Sequence, residues 1–194
     1  MMVDLLKKYL TAKTGLSEEK VELWSSVFSP RKVSKNEYLL REGEVCRYST
    51  FVCKGCLRLY SIDGKGREHI MQFAPEEWWV ADAQSFSDNT PSLYFIDALE
   101  DSEVMQMDQP GQAKLLQFVP ESALFYQSLM QKRQAVSQRR IATSMSASAE
   151  ERYLDFMKTY PSFIQRIPQH MIASYLGITP ESLSRIRKSV VSKK

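Results

Sequence analysis

Residues 169–188 read QHMIASYLGITPESLSRIRK, and two short helices around a tight turn account for the stretch position by position. Pro168 suits the first turn of the leading helix, where its missing N–H is no loss. Ile172 and Leu176, four apart, share one face, with small Ala173 beside them where a second helix must come close. Gly177 falls where a left-handed residue ends that helix. Thr179-Pro180 then offers an N-cap and a preset first helical residue. Leu183, Ile186 and Val190 follow at spacings of three and four and face inward. Glu181, Ser184, Arg185 and Lys188 take the other face. The pattern predicts a helix-turn-helix with a polar, partly basic second helix. A plain αα-hairpin with a solvated face would share the glycine but has no need of the other coincidences.

The outer face of that second helix carries base-reading chemistry. Glu181, Ser184 and Arg185 lie together. Arg185 can bond guanine O6 and N7 in bidentate fashion, Glu181 can accept from cytosine N4, and Ser184 can serve several bases. Thr179, Ser182, Arg187 and Lys188 are placed for phosphates, which position a protein without specifying sequence.

Charge along the chain supports the same reading. The net charge is only +3, but from Glu68 to Ala113 there is no Lys or Arg, against ten Asp and Glu. From Gln131 onward twelve Lys and Arg, Lys193 and Lys194 among them, face four acids, a net of +8. An acidic middle and a basic C-terminal third divide the labour, with a polyanionic partner at the C-terminus.

The remaining chain changes character twice. Residues 1–28 read as helical, with Ser17 as an N-cap and Val21, Trp24, Val27 and Phe28 at helical spacing. From 31 to 108 the pattern is of short apolar runs: 31–33, 38–41, 49–53, 57–62, 67–73, 93–98 and 103–107. Asp63-Gly64 marks a hairpin turn, and a short helix is expected near 81–87. Such spacing suggests a barrel or roll rather than βαβ units. Residues 121–145 lack Gly and Pro and read as one helix of roughly 25 residues, about 37 Å long. On it Phe125, Leu129, Val136 and Thr143 trace a stripe. It is either a dimer seam, the reading preferred, or a face packed on its own β domain. Residues 146–149, Ser-Ala-Ser-Ala, form a joint, and the helix expected over 150–158 buries Tyr153, Leu154 and Met157.

Catalysis finds little support. His69 and His170 are the only histidines and fall in different expected domains, so a cupin-like metal site lacks ligands. No metal site and no catalytic set can be assigned. Cys53-Lys-Gly-Cys56 has redox-motif spacing, but FVCKGCLRLY reads as strand–turn–strand with structural cysteines. The start lacks a signal peptide and no apolar run reaches membrane-spanning length, so a cytoplasmic protein with no membrane partner is expected.

A β roll, a long helix and a terminal helix-turn-helix resemble the Crp/Fnr superfamily of transcription regulators. The resemblance rests on KNEYLLREGE (35–44), FVCKGCLRLY (51–60) and IPQHMIASYLGITPESLSRIRK (167–188), and Glu181, Ser184 and Arg185 resemble the E-x-x-S-R set of its Fnr branch. It implies an α+β fold: an N-terminal cyclic-nucleotide-binding-like β-roll, a double-stranded β-helix, joined by a long helix to a C-terminal helix-turn-helix domain. The expected boundaries are 1–116, 117–145 and 146–194. It further implies a homodimer on double-stranded DNA, reading a TTGA-like inverted repeat, with RNA polymerase as a further partner. The family's phosphate cassette, G-E-x-L and then R-S or R-T, is degenerate here: Ala81-Asp82 and Ser92-Leu93 stand in its place. A phosphate there would lack its charge-assisted donor, so cAMP is not an expected ligand and no cofactor is assigned. Trp79, Asp82, Ser92 and Tyr94 are candidate lining residues for some other effector. Of the family's β wing only a reduced form has room, and the cysteine cluster of its oxygen-sensing members is missing. A second reading keeps the helix-turn-helix as a mere scaffold of a ligand-sensing or protein-interaction module.

Overall fold

A computed structural model describes residues 1–192, with the backbone alone for Val191 and Ser192. Lys193 and Lys194 of the basic C-terminal tally lie outside the described residues. The chain forms two compact units, one of residues 1–62 and 71–128, the other of residues 63–70 with the chain from Leu129 onward.

The first unit begins with α1 (Met2–Thr14) and α2 (Glu18–Ser26), then strands β1 (Ser29–Val33), β2 (Tyr38–Leu40), β3 (Ser49–Lys54) and β4 (Leu57–Ile62). β5 (Glu68–Ala74), of which residues 68–70 count with the second unit, β6 (Trp79–Val80), the short α3 (Ala83–Asp88), β7 (Phe95–Ala98) and β8 (Ser102–Met107) follow. The strands make two four-stranded sheets, ordered β1-β8-β3-β6 and β2-β7-β4-β5. All eight strands send at least one apolar side chain into a common core, including Val33, Leu40, Val52, Leu59, Ala74, Val80, Ile96 and Val104. This is the expected β roll.

The two sheets differ on their outer faces. In β3, Thr50, Phe51, Val52 and Cys53 are all buried, so alternation between faces is lost. The cause is a cover of aromatic residues. Phe51 pairs with Trp79 and Met105 across the strands, and the Phe51 and Trp79 rings meet Tyr9 of α1, 4.9 and 6.4 Å away. A strand covered on both sides reads as a continuous apolar run. In β4, Leu57 and Leu59 point into the core while Arg58 and Tyr60 point away from it, yet these too are buried. None of the three cysteines is in a disulfide and all are buried, and burial raises the thiol pKa of Cys46 and Cys53, so neither of these two is a ready thiolate.

α4 (Gln109–Phe118) leads to α5 (Ser122–Ser146), a single helix of 25 residues. The second unit holds most of α5, then α6 (Ala149–Thr159), α7 (Phe163–Arg166), α8 (Gln169–Leu176) and α9 (Pro180–Ser192). Ser148 and Glu151 form a capping box at the start of α6. The core of this part comprises Tyr153, Phe156, Phe163, Ile167, Ile172, Ala173, Leu176 and Leu183. The sequence reading places Leu154 in that core, but it is 40% exposed and Phe156 takes its place, three residues beyond Tyr153 on the same face. Among the described residues no strand follows β8, and a single turn of helix, α7, occupies the segment before α8.

The β4–β5 hairpin also departs from the two-residue turn expected at Asp63-Gly64. Its loop spans residues 63–67, closed by Asp63 N–H donating to Arg67 O at 3.0 Å. Gly66, not Gly64, takes the left-handed conformation, with φ 76°. Asp63 Oδ1 accepts from the Lys65 and Arg67 N–H groups, at 2.9 and 3.0 Å.

Candidate nucleic-acid interface

The helix-turn-helix forms for the local reasons its sequence announces. Gly177 ends α8 with φ 67° and ψ 36°, and its N–H donates to Ser174 O while Ile178 N–H donates to Ala173 O, both at 3.0 Å. Thr179 caps α9, its Oγ1 accepting from Ser182 N–H at 3.2 Å. Pro168 sits at the N-cap of α8, one position before the helix proper. Ile172, Ala173 and Leu183 are fully buried where the two helices meet.

That packing fixes which face of α9 looks outward. Glu181, Ser184, Arg185, Arg187 and Lys188 are all exposed, while Ser182, Ile186 and Val190 are half-buried. The three candidate base readers therefore share one free face. The Arg185 guanidinium reaches back to Ser182 Oγ at 3.3 Å, a long bond that leaves its remaining donors open to solvent. The Glu181 carboxyl is held below the usual carboxylate range by its own backbone N–H at the helix start, with Thr179 and Arg185 adding to the effect. An ionised acceptor and a guanidinium thus stand one turn apart at the N-terminal end of the helix. Of the candidate phosphate contacts, Arg187 and Lys188 are exposed side chains, whereas Thr179 and Ser182 already serve the cap.

The candidate effector residues are brought together only in part. Asp82 N-caps α3 through Ser85 N–H, at 3.2 Å, and its other oxygen accepts from the Ser92 hydroxyl at 2.7 Å. Ser85 Oγ accepts from Cys46 N–H at 2.8 Å and donates to Thr90 O at 2.6 Å, closing a buried polar set around the cassette position. Tyr94 packs on the adjoining core, into which Phe86 also projects. Trp79 lies elsewhere, among Phe28, Phe51, Phe125 and Tyr126, because its neighbour Val80 is the β6 residue facing the core. The role of the Ser85 hydroxyl was not read from the sequence: the N-cap bond to Asp82 uses a backbone N–H that any residue supplies, so its spacing does not single out a serine.

The stripe expected on α5 also divides. Phe125 packs edge-on against Trp24, with ring centroids 5.3 Å apart, so it is occupied within its own unit, and Leu129 is half-buried. Val136 is 46% exposed. A different face of α5 is open: Ala123, Gln127, Met130, Gln134, Ser137 and Ile141 recur at alternating steps of four and three, and all are exposed. Ile141 is 60% exposed and Met145, one turn on, 84%.

Among the described residues no group of three or more His, Cys, Asp or Glu side chains could hold a metal ion. No helix among them is long and apolar enough to cross a membrane.

Comparison with known proteins agrees with this architecture. Residues 30–118 match the family model described as Cyclic nucleotide-binding domain. No protein of curated function matches the chain by sequence. Among solved structures it is similar to FixK2 from Bradyrhizobium japonicum, with a TM-score of 0.75 and 18% identity over 86% of each chain. A putative transcriptional regulator of the Crp/Fnr family from Eubacterium rectale gives a TM-score of 0.71 and 20% identity, over 96% of this chain and 88% of that one. The catabolite activator protein of Thermus thermophilus gives 0.61 and 19%, over 95% and 87%. The chain thus carries a domain of the cyclic nucleotide-binding family and has the fold of the Crp/Fnr transcription regulators.

Proposed function

We propose that the protein is a homodimeric, sequence-specific DNA-binding transcription regulator of the cytoplasm, not an enzyme. The observation that carries this reading is the outward face of α9, where Glu181, Ser184 and Arg185 stand exposed above a packed helix-turn-helix core. Two such helices about one DNA turn apart would read an inverted repeat. The open four–three run on α5 through Met130, Ile141 and Met145 is the surface we assign to the self-contact, with Val136 at its edge. RNA polymerase is the further partner that a regulator of this fold would meet. The experiment is selection of bound DNA from a random pool by the purified chain. Enrichment of a two-fold symmetric sequence supports the proposal. Binding no tighter than to bulk genomic DNA at low salt favours the scaffold reading instead.

The effector pocket, on this account, does not take cAMP. Both oxygens of Asp82 are engaged by Ser85 and Ser92, and the cassette segment offers a hydroxyl where an anionic phosphate needs a cation. Calorimetry with cAMP should give no binding at micromolar concentration. A saturable heat in that range contradicts this part of the proposal. Asp82, Ser92 and Tyr94 remain the residues that a different, uncharged or cationic, effector would meet.

A further inference from the structure

We propose that Arg140 is a positioning residue for DNA reading: it fixes the angle between the second half of α5 and the helix-turn-helix, and so the half-site spacing a dimer accepts. The inference rests on the DNA-reading function proposed above.

Arg140 stands half-buried near the end of α5. Its Nη2 donates to Tyr175 O at 2.8 Å and to Ile70 O at 3.2 Å, and its guanidinium lies over the Tyr175 ring, 3.9 Å from the centroid. Tyr175 O is not an arbitrary acceptor. Ser174 O and Ala173 O are used by the turn at Gly177 and Ile178, and Tyr175 O lies beside them at the negative end of α8, where a cation is favoured. The Tyr175 ring in turn packs on Phe156, 5.5 Å away, inside the core that carries α9.

The preceding residue of α8 adds a second fastening. Ser174 Oγ donates to Glu68 O at 2.7 Å and accepts from Ile70 N–H at 3.0 Å. A single serine hydroxyl therefore occupies two backbone groups on one edge of the segment 63–70, and Arg140 takes the carbonyl of Ile70. Long helix, strand edge and α8 are stapled around one guanidinium. Other ties on α5 do less. Arg139 pairs with Asp155 at 2.7 Å, but both side chains are about half exposed or more, and such pairs fix little. Arg152 donates to Ser144 O and Ala147 O, each at 3.2 Å, which secures the joint with α6. Of these three arginines, Arg140 is the one that reaches the helix leading into α9.

Inserting one base pair between half-sites turns them apart by about 34° and shifts them by about 3.4 Å. A stapled helix-turn-helix cannot follow that change, and a loosened one can. The experiment measures affinity of the full-length chain for its selected site, for the same site with one base pair inserted or deleted, and for an isolated half-site. The wild type should lose about thirtyfold or more on the altered spacings. Arg140→Leu should lose less than about threefold on them while its half-site affinity stays within about twofold. Arg140→Lys, which keeps the charge but not the planar stack, should fall between. Should Arg140→Leu fail to fold, Arg140→Gln carries the same comparison. A variant that folds and keeps the wild-type spacing profile overturns the inference. A wild type that binds no symmetric site at all overturns the DNA-reading proposal itself, which separates the two.

Discussion

The Arg58 guanidinium meets both oxygens of Asp97, at 2.7 and 2.9 Å, and the Tyr60 hydroxyl donates to the same carboxylate at 3.1 Å. Arg58 also lies over the Tyr60 ring, 4.0 Å from its centroid. The pair is buried, so removing one member strands the other charge. Asp97→Ala should cost roughly 3–5 kcal/mol in denaturant unfolding, and Arg58→Met combined with Asp97→Leu much less than that. Equal losses would mean that the charges are better solvated than their burial implies. Cys53 gives a pH prediction. Burial, with the Glu103 carboxylate adding to it, pushes its thiol up to about 11. The fold favours the protonated form. That stabilisation is complete below the unfolded thiol value of about 8.5 and is lost as pH rises through the folded value. Alkylation of Cys53 at pH 8 should therefore be slow in the native protein and fast in denaturant; fast labelling of the native state would contradict this. Single residues were legible where their cause is local. Gly177 and Thr179 act on neighbours three or four positions away. Arg58 was not, because its partner is 39 residues distant in sequence and only strand pairing brings them together.

At the scale of elements, α9 depends on its cap. Thr179→Ala removes the acceptor for Ser182 N–H and should destabilise by about 1 kcal/mol, with Thr179→Ser close to wild type, both read by thermal unfolding. A loss in the serine variant as large as in alanine would show that the methyl contact, not the cap, matters. The long helix α5 was legible from its lack of Gly and Pro, and its structure runs Ser122–Ser146 against the expected 121–145. Its faces were harder to assign. Apolar residues occur all round the helix, and the sequence does not say that Phe125 is claimed by Trp24 and Trp79. β6 escaped the reading because two residues carry no period. α4 need not have escaped it: Asp108 caps Gly111 N–H at 2.8 Å, and Pro110 stands in the first turn, both visible signals.

At the scale of the molecule, the division of charge seen in the sequence matches the division of labour proposed between a β roll and a helical reader. The roll's interior was legible from its apolar runs, whereas the closed set of Asp82, Ser85, Ser92 and Thr90 was not, since it joins a helix cap to a loop through side chains of ordinary turn type. In the proposed regulator, self-association is the step that turns one reader into two. Ile141→Asp, on the open face of α5, should convert a dimer to a monomer in sedimentation velocity while leaving the fold intact. Unchanged sedimentation would place the self-contact elsewhere. The central claim remains that the outer face of α9 reads base pairs. Its most direct measurement is DNA selection from a random pool with the wild type and Arg185→Ala side by side. The wild type should enrich a two-fold symmetric sequence, and Arg185→Ala should relax one position in each half at a cost of about 1–3 kcal/mol. An identical preferred sequence from both proteins would contradict the claim.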